Sequence, residues 1–385
     1  TLDAFDFFLL VFVIGNIAGE FGTEPKSVAF SILLTLAARP IGALLFGRLA
    51  DRFGRRPVLM VDVLLFSVLE LACAFAPSLN VLLVLRFLFG IAMGGEWGIG
   101  ASLVMESIPA GTRGAVSGLL QSGYPCGYFL GALAYWLVFG VFGFGWRAMF
   151  VVGALPALLV LYLRAKVPES PVWESRRQAG KPRHVLHAMR GHWRRLIYMM
   201  LLMAAFNMFS HGSQDMYPTF LKSQLHLGTG EVTLLTMLLN AGAIVGGLFF
   251  GAWSERVGRR RAMVVAALLA LPCIPLWAFG GSLVLLGLGA FLIQVMVQGA
   301  WGVVPSFLNE MSPDEVRGTL PGFAYQLGNL LAASTAYAQA WLAEANGGNY
   351  AAVMAPWMAV VAVLLALLAW LGPEVRGVRF GGGQA

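Results

Sequence analysis

Apolar runs of about twenty residues, parted by short polar turns, recur along almost the whole chain. A helix needs about 20 such residues to cross the hydrocarbon of a bilayer. Runs of that length lie near 1–21, 28–49, 58–77, 80–108, 112–140 and 146–165. A second six follow near 195–221, 231–253, 261–279, 282–309, 316–343 and 351–372. The one long polar stretch, over 166–194, links the two sets. The predicted fold is all-α and integral to the membrane, with twelve transmembrane helices in two pseudo-symmetric six-helix bundles. The bundles cover 1–165 and 195–372, with 166–194 as a cytoplasmic linker and 373–385 as a cytoplasmic tail. Thr1 falls inside what reads as a helix already under way, so a truncated start is expected.

Composition excludes the soluble alternatives. Of 385 residues, 58% are hydrophobic and 12% are charged, about half the charged share of a soluble domain. A soluble fold this apolar could not cover its surface with polar atoms. The 47 glycines suit membrane helices, which approach closely at small residues. The net charge of +7 does not imply nucleic acid, because it sits in short loops rather than on one face. Of the 26 Lys and Arg, 21 lie on the side of the linker and tail, against only Lys26, Arg147 and Lys222 on the other. Positive residues collect on the cytoplasmic side, which places both termini there in a plasma membrane. Cys73, Cys126 and Cys273 stand alone in apolar stretches and read as small buried hydrophobes. No metal or other cofactor is expected.

A repeat at an offset of 204 residues relates the halves. Gly47, Asp51, Arg52, Gly54, Arg55 and Arg56 recur as Gly251, Glu255, Arg256, Gly258, Arg259 and Arg260. Trp97, Glu106, Arg113, Gly114 and Gly118 recur as Trp301, Glu310, Arg317, Gly318 and Gly322. Two parallel halves place a binding site between them near the membrane midplane. Residues shared by both halves are read as scaffold or gate: the carboxylates and arginines of these two sets pair at the cytoplasmic rim and hold an inner gate.

Charged residues present in one half only need another reason. Arg39 aligns with Ala243, Glu96 with Ala300, His211 with Phe7 and Asp215 with Val11. An ionisable side chain inside a span costs at least about 2.5 kcal/mol on insertion scales, which makes it a functional candidate. Arg39 can grip a carboxylate with two parallel hydrogen bonds, or can form a buried ion pair with Glu96. Asn207, His211 and Asp215 follow at i, i+4 and i+8 with Gln214 between them, so one face of the seventh span carries a polar stripe that should line a cavity. Asp6 and Glu96 are further candidates for carrying a proton, since desolvation and a nearby Arg pull a carboxyl group in opposite directions. Gln326 in the eleventh span, and Gln121 with Tyr124 and Tyr128 in the fifth, offer uncharged donors. Asp62 and Glu70 fall in the third span without an assigned role.

These motifs carry a resemblance. GRLADRFGRRPVL (47–59) resembles the major facilitator loop motif, and RFLFGIAMGG (86–95) that superfamily's helix-four motif, with Phe89 in place of the usual Gln. The seventh-span run from Asn207 to Thr219 resembles the N-x-x-S/T-H-x-S/T-Q-D-x-x-x-T signature of lactate/pyruvate:proton symporters, in the sialate:proton symporter branch. LDAFDFF (2–8) and GGEWG (94–98) are similar to the same branch. The resemblance implies proton-coupled symport of a small monocarboxylate anion by a monomer, with the stripe in substrate recognition and proton coupling. A larger acid such as sialate or an aromatic acid is the alternative substrate, and a solute receptor the alternative class. No nucleophile elbow, metal cluster or phosphate-binding glycine loop supports an enzyme.

Overall fold

The outer surface of the molecule is apolar, the reverse of a soluble protein: Phe75 is 73% exposed and Val284 79% exposed. The computed structural model describes residues 2–155, 157, 158, 162, 166–178 and 191–381, and the regular elements among them are helical. Ten helical stretches are long and apolar enough to cross a membrane, matching expected spans one to five, seven to ten and twelve. The sixth is helical over Trp146–Gly153 and then runs partly outside the described residues. The eleventh is divided into Leu320–Ala332 and Thr335–Ala345, so no single long helix fills it. The chain is a multi-pass membrane protein.

The 204-residue offset reappears as matched packing. A Cβ on Gly42 would sit 1.7 Å from the Ile91 carbonyl oxygen, and one on Gly246 would sit 2.1 Å from that of Val295. Spans two and four, and their counterparts eight and ten, thus touch backbone to backbone, as small residues permit. At the turns closing spans two and eight, Gly54 and Gly258 take φ values of 115° and 100°. Side chains other than glycine rarely adopt that region, which explains the glycine in both loops.

Two carboxylates that the sequence reading left unassigned complete these turns. Glu169 accepts from the backbone N–H of Arg55 at 3.0 Å and of Arg56 at 3.2 Å. Glu374 accepts from those of Arg259 at 2.9 Å and Arg260 at 3.2 Å. Each satisfies orphan donors at a helix start and meets the positive end of its dipole. Glu169 lies beside a helix, Pro171–Gln178, inside the polar linker; its Trp173 is buried and donates from Nε1 to the Asp51 carbonyl at 3.1 Å. Residues 179–190 of the linker are outside the described set.

One expectation is corrected. Cys73 and Cys273 are buried, but Cys126 is exposed. In a chain that faces lipid, an apolar residue need not be buried in protein, so hydrophobic context alone does not predict burial.

Candidate functional site

A cavity of about 180 Å³ lies between the two halves. The first half lines it with Ala4, Glu96, Trp97, Gly100, Ala101, Leu120, Gln121 and Tyr124. The second supplies Asn207, Ser210, His211, Gln214, Gln298, Trp301, Pro305 and Tyr325. Three members of the seventh-span stripe, Asn207, His211 and Gln214, therefore face one space, with Ser210 beside them. Asp215 sits one turn further on, where the helix Trp193–Gln214 ends before Tyr217–Ser223 begins. Pro218 in the first turn of the second helix accounts for the break, because it has no N–H to continue the ladder.

Asp215 Oδ2 lies 3.0 Å from His211 Nδ1, and both side chains are about a third exposed. A carboxylate accepting from one ring nitrogen fixes the imidazole's orientation and leaves Nε2 for a second partner. His211 is the one basic side chain among the lining residues. Around it, the Ser210 hydroxyl accepts from Gln298 Nε2 at 3.1 Å and from Gln214 Nε2 at 3.3 Å. Gln294 Nε2 donates to the Ser213 hydroxyl at 2.9 Å, and Trp301 Nε1 to the Phe206 carbonyl at 3.1 Å. Gln294, Gln298 and Trp301 stand at i, i+4 and i+7 on the tenth span, so one of its faces binds the polar stripe of the seventh. Asn207 turns its amide back to the Met203 carbonyl at 2.8 Å.

Aromatic side chains form much of the remaining wall. The rings of Trp97 and Tyr325 lie 4.5 Å apart across the two halves, and Trp301 meets Tyr325 edge-on at 5.9 Å. Trp97 Nε1 donates to Gln121 Oε1 at 3.4 Å. Sequence reasoning noticed Trp97 and Trp301 as repeat partners and read them as scaffold; the structure puts both in the cavity wall. Gln298 was missed, because nothing local distinguishes a polar residue on a cavity face from one packed between helices.

Other candidates lie behind this wall. Arg39 is 5% exposed, its Nη2 3.0 Å from Met93 Sδ. Its backbone abuts Gly94, two residues before Glu96. Gln326 is 1% exposed and does not line the cavity. Asp6 is fully buried, close enough for its charge to act on Arg86. Arg86 in turn pairs with Glu70 at 2.5 Å, which gives the third-span carboxylate a partner that the sequence did not supply. The side chain of Asp3, the repeat counterpart of Asn207, is outside the described residues.

The shared charged residues assemble at the end of the molecule that carries the linker and tail, here termed the basic end. Arg55 donates to Glu106 through Nε at 3.1 Å and Nη2 at 3.2 Å, and Arg259 to Glu310 through the same atoms at 2.9 and 3.0 Å. Asp51 crosses the seam, accepting from the Gly318 N–H at 2.9 Å and the Thr319 hydroxyl at 2.5 Å. Its counterpart Glu255 accepts from the Gly114 N–H in the same way. Arg52 and Arg56 frame the first turn; Arg256 lends its carbonyl to Arg376 of the tail. A Cβ on Gly98 would sit 2.7 Å from Gly322 Cα, so the halves meet at backbone distance just beyond the Trp97–Tyr325 stack.

The model of the Major Facilitator Superfamily matches residues 1–217, and that of the sugar (and other) transporters matches 185–376. A carboxylic acid transporter protein homolog of Saccharomyces cerevisiae is 29% identical over 89% of this chain, which spans only 59% of that protein's length. The sialic acid transporter NanX of Escherichia coli is 28% identical over 98% of this chain and 92% of its own. The fold is that of the proton:xylose symporter XylE, with a TM-score of 0.79 at 20% identity over 99% of this chain and 95% of that one. The chain belongs to the major facilitator superfamily.

Proposed function

We propose that this protein carries a small monocarboxylate, of the size of lactate or pyruvate, together with a proton. One observation carries the reading: among the described residues His211 is the single basic side chain in the cavity wall, and Asp215 stands 3.0 Å behind it. A neutral imidazole beside an ionised carboxylate gives an anion nothing to bind. Adding one proton makes the His211–Asp215 pair neutral overall and makes Nε2–H a donor that an anion can accept from, while Nδ1–H stays on Asp215. The anion and the proton then bind as a unit, which is the condition for symport. Gln214, Gln298 and Asn207 flank the pair as donors for a hydroxyl or keto oxygen. Asp6 and Glu96 remain proposed alternatives for the proton, and Arg39 and Gln326 would reach the acid only after the wall rearranges.

Size supports a short acid. The cavity of about 180 Å³ falls below the ~300–1,000 Å³ usual for drug-sized ligands. The excess of Lys and Arg assigns the basic end to the cytoplasm. The gate residues Gly47, Asp51, Arg52, Gly54, Arg55, Arg56, Glu106, Arg113, Glu255, Arg256, Glu310 and Arg317 then close the cytoplasmic side, and the cavity faces outward. Trp97, Tyr124, Trp301 and Tyr325 favour a second reading, a planar unsaturated or aromatic acid stacked on those rings.

Counterflow of labelled lactate in proteoliposomes, challenged with unlabelled short, aromatic and sugar acids, tests the reading. Competition by short 2-hydroxy or 2-keto acids is expected. Competition by aromatic acids alone transfers the function to the second reading, and no counterflow with any acid rejects both.

A further inference from the structure

The tail returns to the seam between the halves. The Phe380 ring lies between two guanidinium groups, with Arg113 3.5 Å and Arg317 3.7 Å from its centroid. These arginines are repeat counterparts, so one ring touches both halves at the same register. Each arginine is buried and anchored within its own half, Arg113 Nε donating to the Met105 carbonyl and Arg317 Nε to the Asn309 carbonyl, both at 3.0 Å. The tail around Phe380 is held as well: Arg113 Nη1 donates to the Val378 carbonyl at 2.6 Å, and the Gly381 N–H to Asp314 Oδ2 at 3.0 Å.

We infer that Arg113 and Arg317 together form a binding site for an aromatic side chain, complete only while the basic end is closed, and that Phe380 occupies it as a latch. The inference rests on the proposed transport function, in which the gate residues close the basic end while the cavity faces outward and part when it opens. Two guanidinium groups at one seam repel each other, and the negative faces of a ring between them offset part of that repulsion. The contact decays within about 6 Å of the centroid. A ring of fixed size cannot follow both arginines when the halves part, so opening forfeits at least one contact. The latch thus favours one state over the other, as any element that shifts a conformational equilibrium must.

The test places spin labels at Thr112 and Glu315, exposed positions on opposite halves of the basic end, in a chain whose three cysteines are replaced by alanine. Distances are read by pulsed electron paramagnetic resonance in lipid nanodiscs without substrate. The Phe380 chain should populate mainly the short distance. In Phe380→Ala the closed-to-open ratio should fall roughly tenfold, or about 1.4 kcal/mol, while Phe380→Trp should keep the short distance. An unchanged distribution in Phe380→Ala, or opening in Phe380→Trp equal to that in Phe380→Ala, overturns the latch. If the same labelled variants show the distance response in nanodiscs but no lactate exchange after reconstitution in proteoliposomes, the latch stands and the substrate reading fails.

Discussion

Glu106 of the fourth span and Arg317 of the eleventh, from opposite halves of the chain, face each other at 3.6 Å. Their repeat counterparts Glu310 and Arg113 do the same at 3.8 Å. Each glutamate also receives a two-point hydrogen-bonded fork from an arginine of its own half, Arg55 or Arg259. The fork is short and the cross-seam contact longer. Parting the halves therefore breaks the weaker pair and leaves each carboxylate neutralised where it stays buried. That arrangement avoids stranding an unpaired buried carboxylate, a loss of about 3–5 kcal/mol.

Asp51 tests the proposed gate with the least disturbance. Its carboxylate takes two hydrogen bonds from across the seam and pairs with Arg55 at 2.9 Å. Asp51→Asn keeps the shape but removes a charge-assisted interaction, of order 1.5–3 kcal/mol. Turnover should change by roughly tenfold or more, with substrate affinity nearly unaltered. Equilibrium binding and initial uptake rates, compared in one preparation, check the division; equal losses in both would place Asp51 in the site.

The buried Glu70–Arg86 pair tests structure rather than transport. Glu70→Ala leaves Arg86 unpaired in a span where its side chain is 1% exposed, and the loss should approach about 3–5 kcal/mol. Glu70→Gln, which keeps a hydrogen-bond acceptor, should lose less. Thermal unfolding in detergent should rank wild type, Gln and Ala in descending order. An Ala variant as stable as wild type would mean that water or another group compensates Arg86.

What the sequence disclosed follows from what is periodic in it. Span length, charge bias and the 204-residue offset all survive in one dimension, and the fold and the gate set came from those. The identity of the cross-seam pairs did not, because Glu106 has equally good arginines in sequence at 55, 113 and 317 and only the closed seam selects among them. The stripe was legible from Asn207 to Asp215 by its spacing, but its anchorage to Gln294 and Gln298 joins positions 81 and 88 residues apart. Arg39 shows the opposite failure: a charge in a span marks the neighbourhood of a site without saying which side of the wall it occupies.

The aromatic wall separates the two substrate readings. In Trp97→Leu, the Trp97–Tyr325 stack at 4.5 Å is lost while the cavity keeps an apolar lining. A short acid held by the His211 pair should bind within about threefold of wild type, at the low end of the 0.5–1.5 kcal/mol that a ring pair supplies beyond its area. An acid stacked on the ring should weaken by tenfold or more. Competition titrations with lactate and with a benzoate-type acid check this, and the reverse ranking would favour the aromatic substrate.

His211 sets the expected pH response. Its unperturbed value is about 6.5, and in the proposed symport a proton accompanies the anion. Apparent affinity for the acid should therefore fall as pH rises through the neutral range, approaching tenfold per unit on the alkaline side. In His211→Gln that slope should flatten while measurable transport persists. A variant with the wild-type slope would remove His211 from the linkage.

If Asp215 with His211 holds the coupled proton, as proposed, a paired transport assay on Asp215→Asn should separate uphill uptake from exchange. An amide cannot cycle between charged and neutral forms, so uphill uptake of labelled acid driven by a pH gradient should fail. Exchange of internal for external acid needs no empty, deprotonated return step and should continue. Asp6→Asn and Glu96→Gln, assayed beside it, should retain accumulation. Normal gradient-driven accumulation by Asp215→Asn would contradict this assignment, and its selective loss in Asp6→Asn or Glu96→Gln would place the proton in the first half of the chain.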